Sequence, residues 1–178
     1  MKDCSYNNFL PIIGTLIGVI VGFLLSIVYE IVKNKLSVKR KKRAIRNELN
    51  TNLGLIPQKI EHIKSLKKTL ERQKILPCQN VHCTTYLYDF YIGDIGIQLT
   101  KDERENLHVI YESIRVVDKF LDDVFIQFIN FRMSGQISKP FEFYIGMCEE
   151  LINRCNLVQN LIKEYLDGNL RKITGNKF

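Results

Sequence analysis

Residues 9–29 read FLPIIGTLIGVIVGFLLSIVY, 21 consecutive positions without a charge, followed at once by Glu30, Ile31, Val32 and Lys33. A helix rises about 1.5 Å per residue, so such a run covers a hydrocarbon core of roughly 30 Å. It reads as a transmembrane helix over residues 9–32. A cleaved signal peptide carries positive charge ahead of a shorter apolar run and ends at small side chains. Here the positive charge follows the run and Tyr29 closes it. The segment is therefore expected to persist as an anchor, preceded by a short N-terminus of residues 1–8 on the outer side.

Direction follows from the basic bias. Lys2 and Asp3 nearly cancel before the apolar run, while Lys33, Lys35, Lys39, Arg40, Lys41, Lys42, Arg43 and Arg46 follow it. Loops rich in Lys and Arg stay in the cytoplasm. The chain is thus expected to be a single-pass protein of a bacterial inner membrane, with its C-terminal portion cytoplasmic. Anionic headgroups attract each juxtamembrane base by roughly 1 kcal/mol, which gives Lys39, Arg40, Lys41, Lys42 and Arg43 a lipid-headgroup role. Because topology and lipid account for this cluster, long nucleic acid is not expected as a partner.

Within the span, Gly14, Gly18, Gly22 and Ser26 recur every four residues and form a ridge of small side chains along which a second helix can approach. The ridge points to a homo-oligomer. The plainer reading is that glycine is common in transmembrane helices. Glu30 continues the series at the cytoplasmic end, where a carboxylate can sit among headgroups beside Lys33 or Lys35.

Beyond the anchor roughly 145 residues remain, enough for one domain with a core. The net charge of +7 is unevenly spread: residues 33–74 hold 14 Lys/Arg against 3 Asp/Glu, and residues 75–178 hold 11 against 14. Ile45, Leu49, Leu53, Ile56, Ile60, Ile63, Leu66 and Leu70 recur at three and four, so residues 33–76 read as a basic neck helix. Gly54 and Pro57 predict a kink or a break within residues 50–57.

Residues 77–84 read as a loop. Tyr86, Tyr88, Phe90 and Tyr91 then fall within six positions and predict a short helix with its aromatics in the core, closed by a turn over residues 93–96. Thr100 and Glu103 have capping-box spacing. Leu107, Ile110, Ile114, Val117, Leu121, Val124, Phe128 and Phe131 then predict a long amphipathic helix ending at Ser134 and Gly135. A second helix is expected to begin at residues 138–140 and to run to Gly168 on Phe141, Tyr144, Cys148, Leu151, Cys155, Val158, Ile162 and Tyr165. The fold class is therefore all-α: one transmembrane helix, and a three- or four-helix bundle containing a long antiparallel hairpin. Residues 77–168 form the helical cytoplasmic domain and residues 169–178 a flexible tail.

The chain has no GxxxxGK[ST], GxSxG or HExxH sequence, so no enzyme activity and no cofactor is expected. Cys78, His82, Cys83, Cys148 and Cys155 offer soft ligands on paper, but they lack paired CxxC knuckles, and Cys148 and Cys155 fall on the core stripe. Free thiols are the better reading, with no metal. Arg115, Arg132 and Arg154 flank the stripes of the two long helices and, with Asn156, could hold an anionic ligand through guanidinium forks. The bland alternative for them is a solvated, salt-bridged edge.

A glycine-ridged anchor, a basic neck and a compact helical domain in one Lys-, Asn- and Ile-rich chain resemble, as a layout, the small membrane effectors of bacterial antiphage defence. In particular the layout resembles the accessory membrane proteins of type III CRISPR systems. That resemblance implies an oligomeric effector whose cytoplasmic domain senses a cyclic oligoadenylate and acts on the membrane. The alternative is a membrane-tethered adaptor or scaffold that binds a protein partner through its helical hairpin. Convergent arginines and aromatics in a pocket would favour the sensor, and a long exposed apolar stripe would favour the adaptor.

Overall fold

The computed structural model describes residues 9–74, 80–135 and 139–168. Residues 1–8, the first three positions of the expected loop at 77–84, and the tail at 169–178 therefore lie outside the described residues, as do Cys4 and Cys78. The regular structure of the described residues is all helical: α1 (Phe9–Glu71), α2 (Tyr86–Ile95), a 3-10 turn (Gly96–Gln98), α3 (Lys101–Ser134) and α4 (Phe141–Leu166). The chain divides into two compact units, Met1–Lys42 and Arg43–Phe178.

In the first unit, α1 carries no charge as far as Tyr29, and each described residue from 13 to 36 is exposed. Phe23, Leu25 and Tyr29 are each about two-thirds exposed. A helix this uniformly apolar belongs in a protein core or in lipid. With a mean hydropathy of 2.3 in its most apolar stretch, α1 is long and apolar enough to cross a membrane.

The second unit is built around one hydrophobic core. Ile45, Leu49, Ile56, Ile60, Ile63, Leu66 and Leu70 of α1 join Leu107, Ile110, Ile114, Val117, Leu121, Val124 and Phe128 of α3, and Tyr144, Cys148, Leu151, Cys155, Val158 and Ile162 of α4. The three- and four-residue spacing of each set is what places it on one face. Leu53, Phe141 and Tyr165, expected in the core, are only partly buried, while Tyr111 and Leu161 are buried in addition.

Several boundaries differ from expectation for identifiable reasons. The break near Pro57 is absent. Pro57 lies on the exposed side of α1, so the hydrogen bond it removes faces water, while buried Ile56 and Ile60 hold both flanks. Helix α1 ends before residue 76 because Gln73 turns left-handed at φ 53°. Its N–H reaches Leu70 and that of Lys74 reaches Thr69, the paired bonds of a Schellman cap. The turn expected at residues 93–96 is instead the last turn of α2 running into the 3-10 turn, with Ile95 buried in the core.

Thr100 and Glu103 form both bonds of the capping box, and Gly135 closes α3 at φ 69°, a conformation that suits glycine. Helix α4 starts at Phe141, with Pro140 as its N-cap, and ends at Leu166. The aromatic run is helical, yet only Tyr88 of it is buried. Tyr86 and Phe90 point outward.

The placement of α2 comes from one buried carboxylate. Glu48 is 4% exposed and accepts hydrogen bonds from the Leu87 and Tyr88 N–H groups, at 2.8 and 3.0 Å, and from the Tyr111 hydroxyl at 2.8 Å. A negative charge at the first turn of a helix satisfies donors that lack intrahelical partners and complements the helix dipole. Thr85, the N-cap, makes no side-chain cap bond, so Glu48 supplies it. The Tyr88 and Tyr111 rings stack at 3.9 Å, and burial together with the Glu48 carboxylate pushes the Tyr111 phenol well above its ordinary range. Glu48→Ala strands three donors, two of them buried. It should destabilise Arg43–Phe178 by roughly 2–5 kcal/mol in chemical denaturation, whereas Glu61→Ala, on an exposed face, should change stability by about 0.5 kcal/mol or less.

Candidate functional site

Two features of the second unit are candidates for function. The first is a polar cluster where α1 and α3 meet the segment entering α2. Asn52, fully buried, clamps Thr84: its Nδ2 donates to the Thr84 carbonyl at 2.7 Å, and its Oδ1 accepts from the Thr84 N–H at 2.7 Å. Lys59 is 1% exposed, forms an ion pair with Asp118, and donates to Asn80 Oδ1 at 3.0 Å. Asn80 in turn donates to Asp122 at 2.8 Å, and the Cys83 N–H donates to Asp118 at 3.1 Å. A buried ammonium needs both charge and hydrogen-bond partners, and these residues provide them.

This cluster holds the chain in place and leaves no room for a ligand. The cavity beside it, between Lys59, Cys83 and Cys155, measures about 10 Å³, barely the space one water requires. Cys83, Cys148 and Cys155 are free thiols. Burial pushes the Cys83 thiol up to about 12, with Asp118 adding to the shift, and burial pushes Cys155 up to about 11. Both are therefore neutral and poor nucleophiles at physiological pH. His82 lies 3.6 Å from Asp122.

The second feature is a groove of about 500 Å³ along the α3–α4 seam. Val109, Val116 and Val117 of α3 and Leu157 and Val158 of α4 form its apolar surface, with His108, Ser113 and Asn153 among its polar lining. Val116 and, further along the same face of α3, Phe120 are exposed. Its charges are Glu112, Glu150 and Arg154, two carboxylates against one guanidinium.

The residues expected to bind an anion are not gathered here. Arg154 lines the groove but its Nε donates to Glu150 at 2.8 Å. Arg115 is outside the lining and is paired with both Asp89 and Glu112. Asn156 is exposed on α4 and is also outside the lining. The Arg132 side chain lies outside the described residues. In the first unit, a Cβ placed at Gly14, Gly18 or Gly22 meets nothing within 4 Å among the described residues. Lys39, Arg40 and Arg43 are exposed, and Lys41 and Lys42 are partly buried. In comparison with known proteins, no family model matches the chain, and neither a curated protein nor a solved structure does.

Sequence reasoning passed over Glu48, Asn52 and Lys59. All three lie in three- and four-residue register with Ile45, Leu49, Ile56, Ile60 and Ile63, so polar residues inside an apolar stripe were the available signal. Removing one member of the buried pair should show that the cluster is structural. Lys59→Met, which leaves the Asp118 carboxylate unpaired, should cost roughly 3–5 kcal/mol. The double substitution Lys59→Met with Asp118→Leu should recover much of that loss in denaturant unfolding, as coupled partners do.

Proposed function

We propose that the protein is a membrane-anchored adaptor: the apolar part of α1 crosses a bacterial inner membrane once, residues 1–8 lie outside, and the domain from Arg43 onward works in the cytoplasm. There the α3–α4 groove takes an apolar helix of a partner protein. The basic bias of residues 33–46 supports the direction, and the exposed apolar surface of residues 13–36 supports the crossing. Lys39, Arg40, Lys41, Lys42 and Arg43 meet anionic headgroups in this reading. The α3–α4 hairpin is antiparallel and, with α1 and α2, makes a four-helix bundle. In support, Gln127 and Phe128 meet Tyr144, while Val117, ten positions earlier on α3, shares a groove with Val158, further along α4.

The single observation that carries the adaptor reading is the groove itself: an apolar seam about 500 Å³ in volume whose one arginine is already paired. A helix with anchors at three- and four-residue spacing fits such a seam without breaking an ion pair. An anionic ligand would have to displace Glu150 from Arg154. The competing reading, in which a homo-oligomer joined along Gly14, Gly18, Gly22 and Ser26 senses a cyclic oligoadenylate and acts on the membrane in antiphage defence, draws on Arg154 and Asn153 in the groove lining.

Photo-crosslinkers placed at Val116 and at Leu157 in the full-length protein in cells distinguish the two. The adaptor reading expects both positions to capture the same protein species and Phe120→Asp to abolish the capture, with Met133→Asp having no effect. Absence of such a species contradicts it. So does micromolar binding of cyclic tri-, tetra- or hexa-adenylate in calorimetry that Arg154→Ala weakens at least about tenfold, the loss expected for a charge-assisted contact.

A further inference from the structure

Tyr86 and Phe90, one turn apart on α2, are 71% and 63% exposed and stack with ring centroids 6.0 Å apart. Ile97, in the 3-10 turn that follows, is 90% exposed. Large apolar side chains left open on α2 and on the turn that directly continues it make a surface that water does not favour, and the groove does not include them.

The location of α2 within its unit narrows what covers the patch. Lys59 holds Asn80, Asn52 holds Thr84 and Glu48 holds Leu87 and Tyr88, so the segment climbs α1 backwards and delivers α2 to the end of the unit where its chain begins, at Arg43. Only ten residues, 33–42, separate Arg43 from Val32, the last residue of the apolar run. Even fully extended they span on the order of 35 Å. Aromatic rings with one polar edge, such as Tyr86, favour the headgroup layer of a bilayer, where apolar body and hydroxyl are both satisfied.

We propose that Tyr86, Phe90 and Ile97 form a lipid-contacting pad that seats the domain on the bilayer surface carrying its anchor. This rests on the membrane-anchored reading above and extends it: the pad supplies an orientation that a single helical tether does not. Seating the α2 face on lipid leaves the α3–α4 groove available to a partner.

The chain contains no tryptophan, so one introduced indole reports its own surroundings. Full-length Leu24→Trp, Phe90→Trp and Met133→Trp variants, with Tyr86→Trp as a second pad reporter, are reconstituted into phosphatidylcholine–phosphatidylglycerol vesicles with and without brominated acyl chains. Circular dichroism verifies that each variant is folded. The expected result is strong quenching by bromine at position 24, clear quenching with a blue-shifted emission at positions 90 and 86, and water-like emission quenched only by acrylamide at position 133. If position 24 is quenched while 90 and 86 behave like 133, the pad proposal is overturned and the anchor stands. Shielding of 90 and 86 from acrylamide without quenching by bromine means that protein covers the patch, and also overturns it. No quenching at position 24 removes the anchor and the pad together.

Discussion

A carboxylate held out of water at Glu48 is the constraint from which the second unit is assembled. A carboxyl group at 4% exposure is tolerable only where hydrogen-bond partners surround it. The donors that satisfy it come from α2 and α3, 39 to 63 residues further along the chain. Because two are the orphan amides of the first turn of α2, satisfying the charge and starting the helix are one event. Asn52 and Lys59 repeat the device one and three turns along α1. Together they tie residues 80–88, which lead into α2, to α1. The apolar core supplies most of the favourable free energy of folding, but apolar contact is non-directional, and these polar bonds set the register in which the core closes.

One helix carries two kinds of surface. From residue 13 to Tyr29 α1 is exposed and free of charge, whereas from residue 45 onward one face is buried and the other carries charge. Between them stand the basic residues 39–43. That order of apolar helix, basic collar and amphipathic helix suits the proposed passage from a bilayer, past its anionic headgroups, into the cytoplasm. On the distal unit Arg115 and Arg154 are paired with Asp89, Glu112 and Glu150 and the α3–α4 groove is mainly apolar, which is what supports the proposed adaptor role.

What was legible in the sequence was whatever rests on local pattern. The stripes of α1, α3 and α4, the Thr100–Glu103 capping box and the Gly135 stop need only residues a few positions apart, and the helices form where those patterns lie. The continuity of α1 past Pro57 was not legible, because it depends on burial of Ile56 and Ile60 against distant helices. Nor was the extension of α2 through Gly93, which follows from Ile95 reaching the core. For the site, spacing alone placed Arg115 and Arg154 beside the right stripes but could not show the carboxylates that occupy them. Asp89, which binds Arg115, is 26 residues away on another helix. The outward Tyr86 and Phe90 were misread as core for a similar reason: four aromatics on one short helix exceed the single face that α2 buries.

The proposed function depends most directly on the domain lying on the cytoplasmic side of a membrane that α1 crosses once. Protease treatment of full-length protein carrying an epitope after Phe178, compared between intact spheroplasts and inverted inner-membrane vesicles, measures this. The account predicts an epitope protected in spheroplasts and digested in inverted vesicles, with the protein resistant to carbonate extraction in both. An epitope digested in spheroplasts, or a protein released by carbonate, would contradict it.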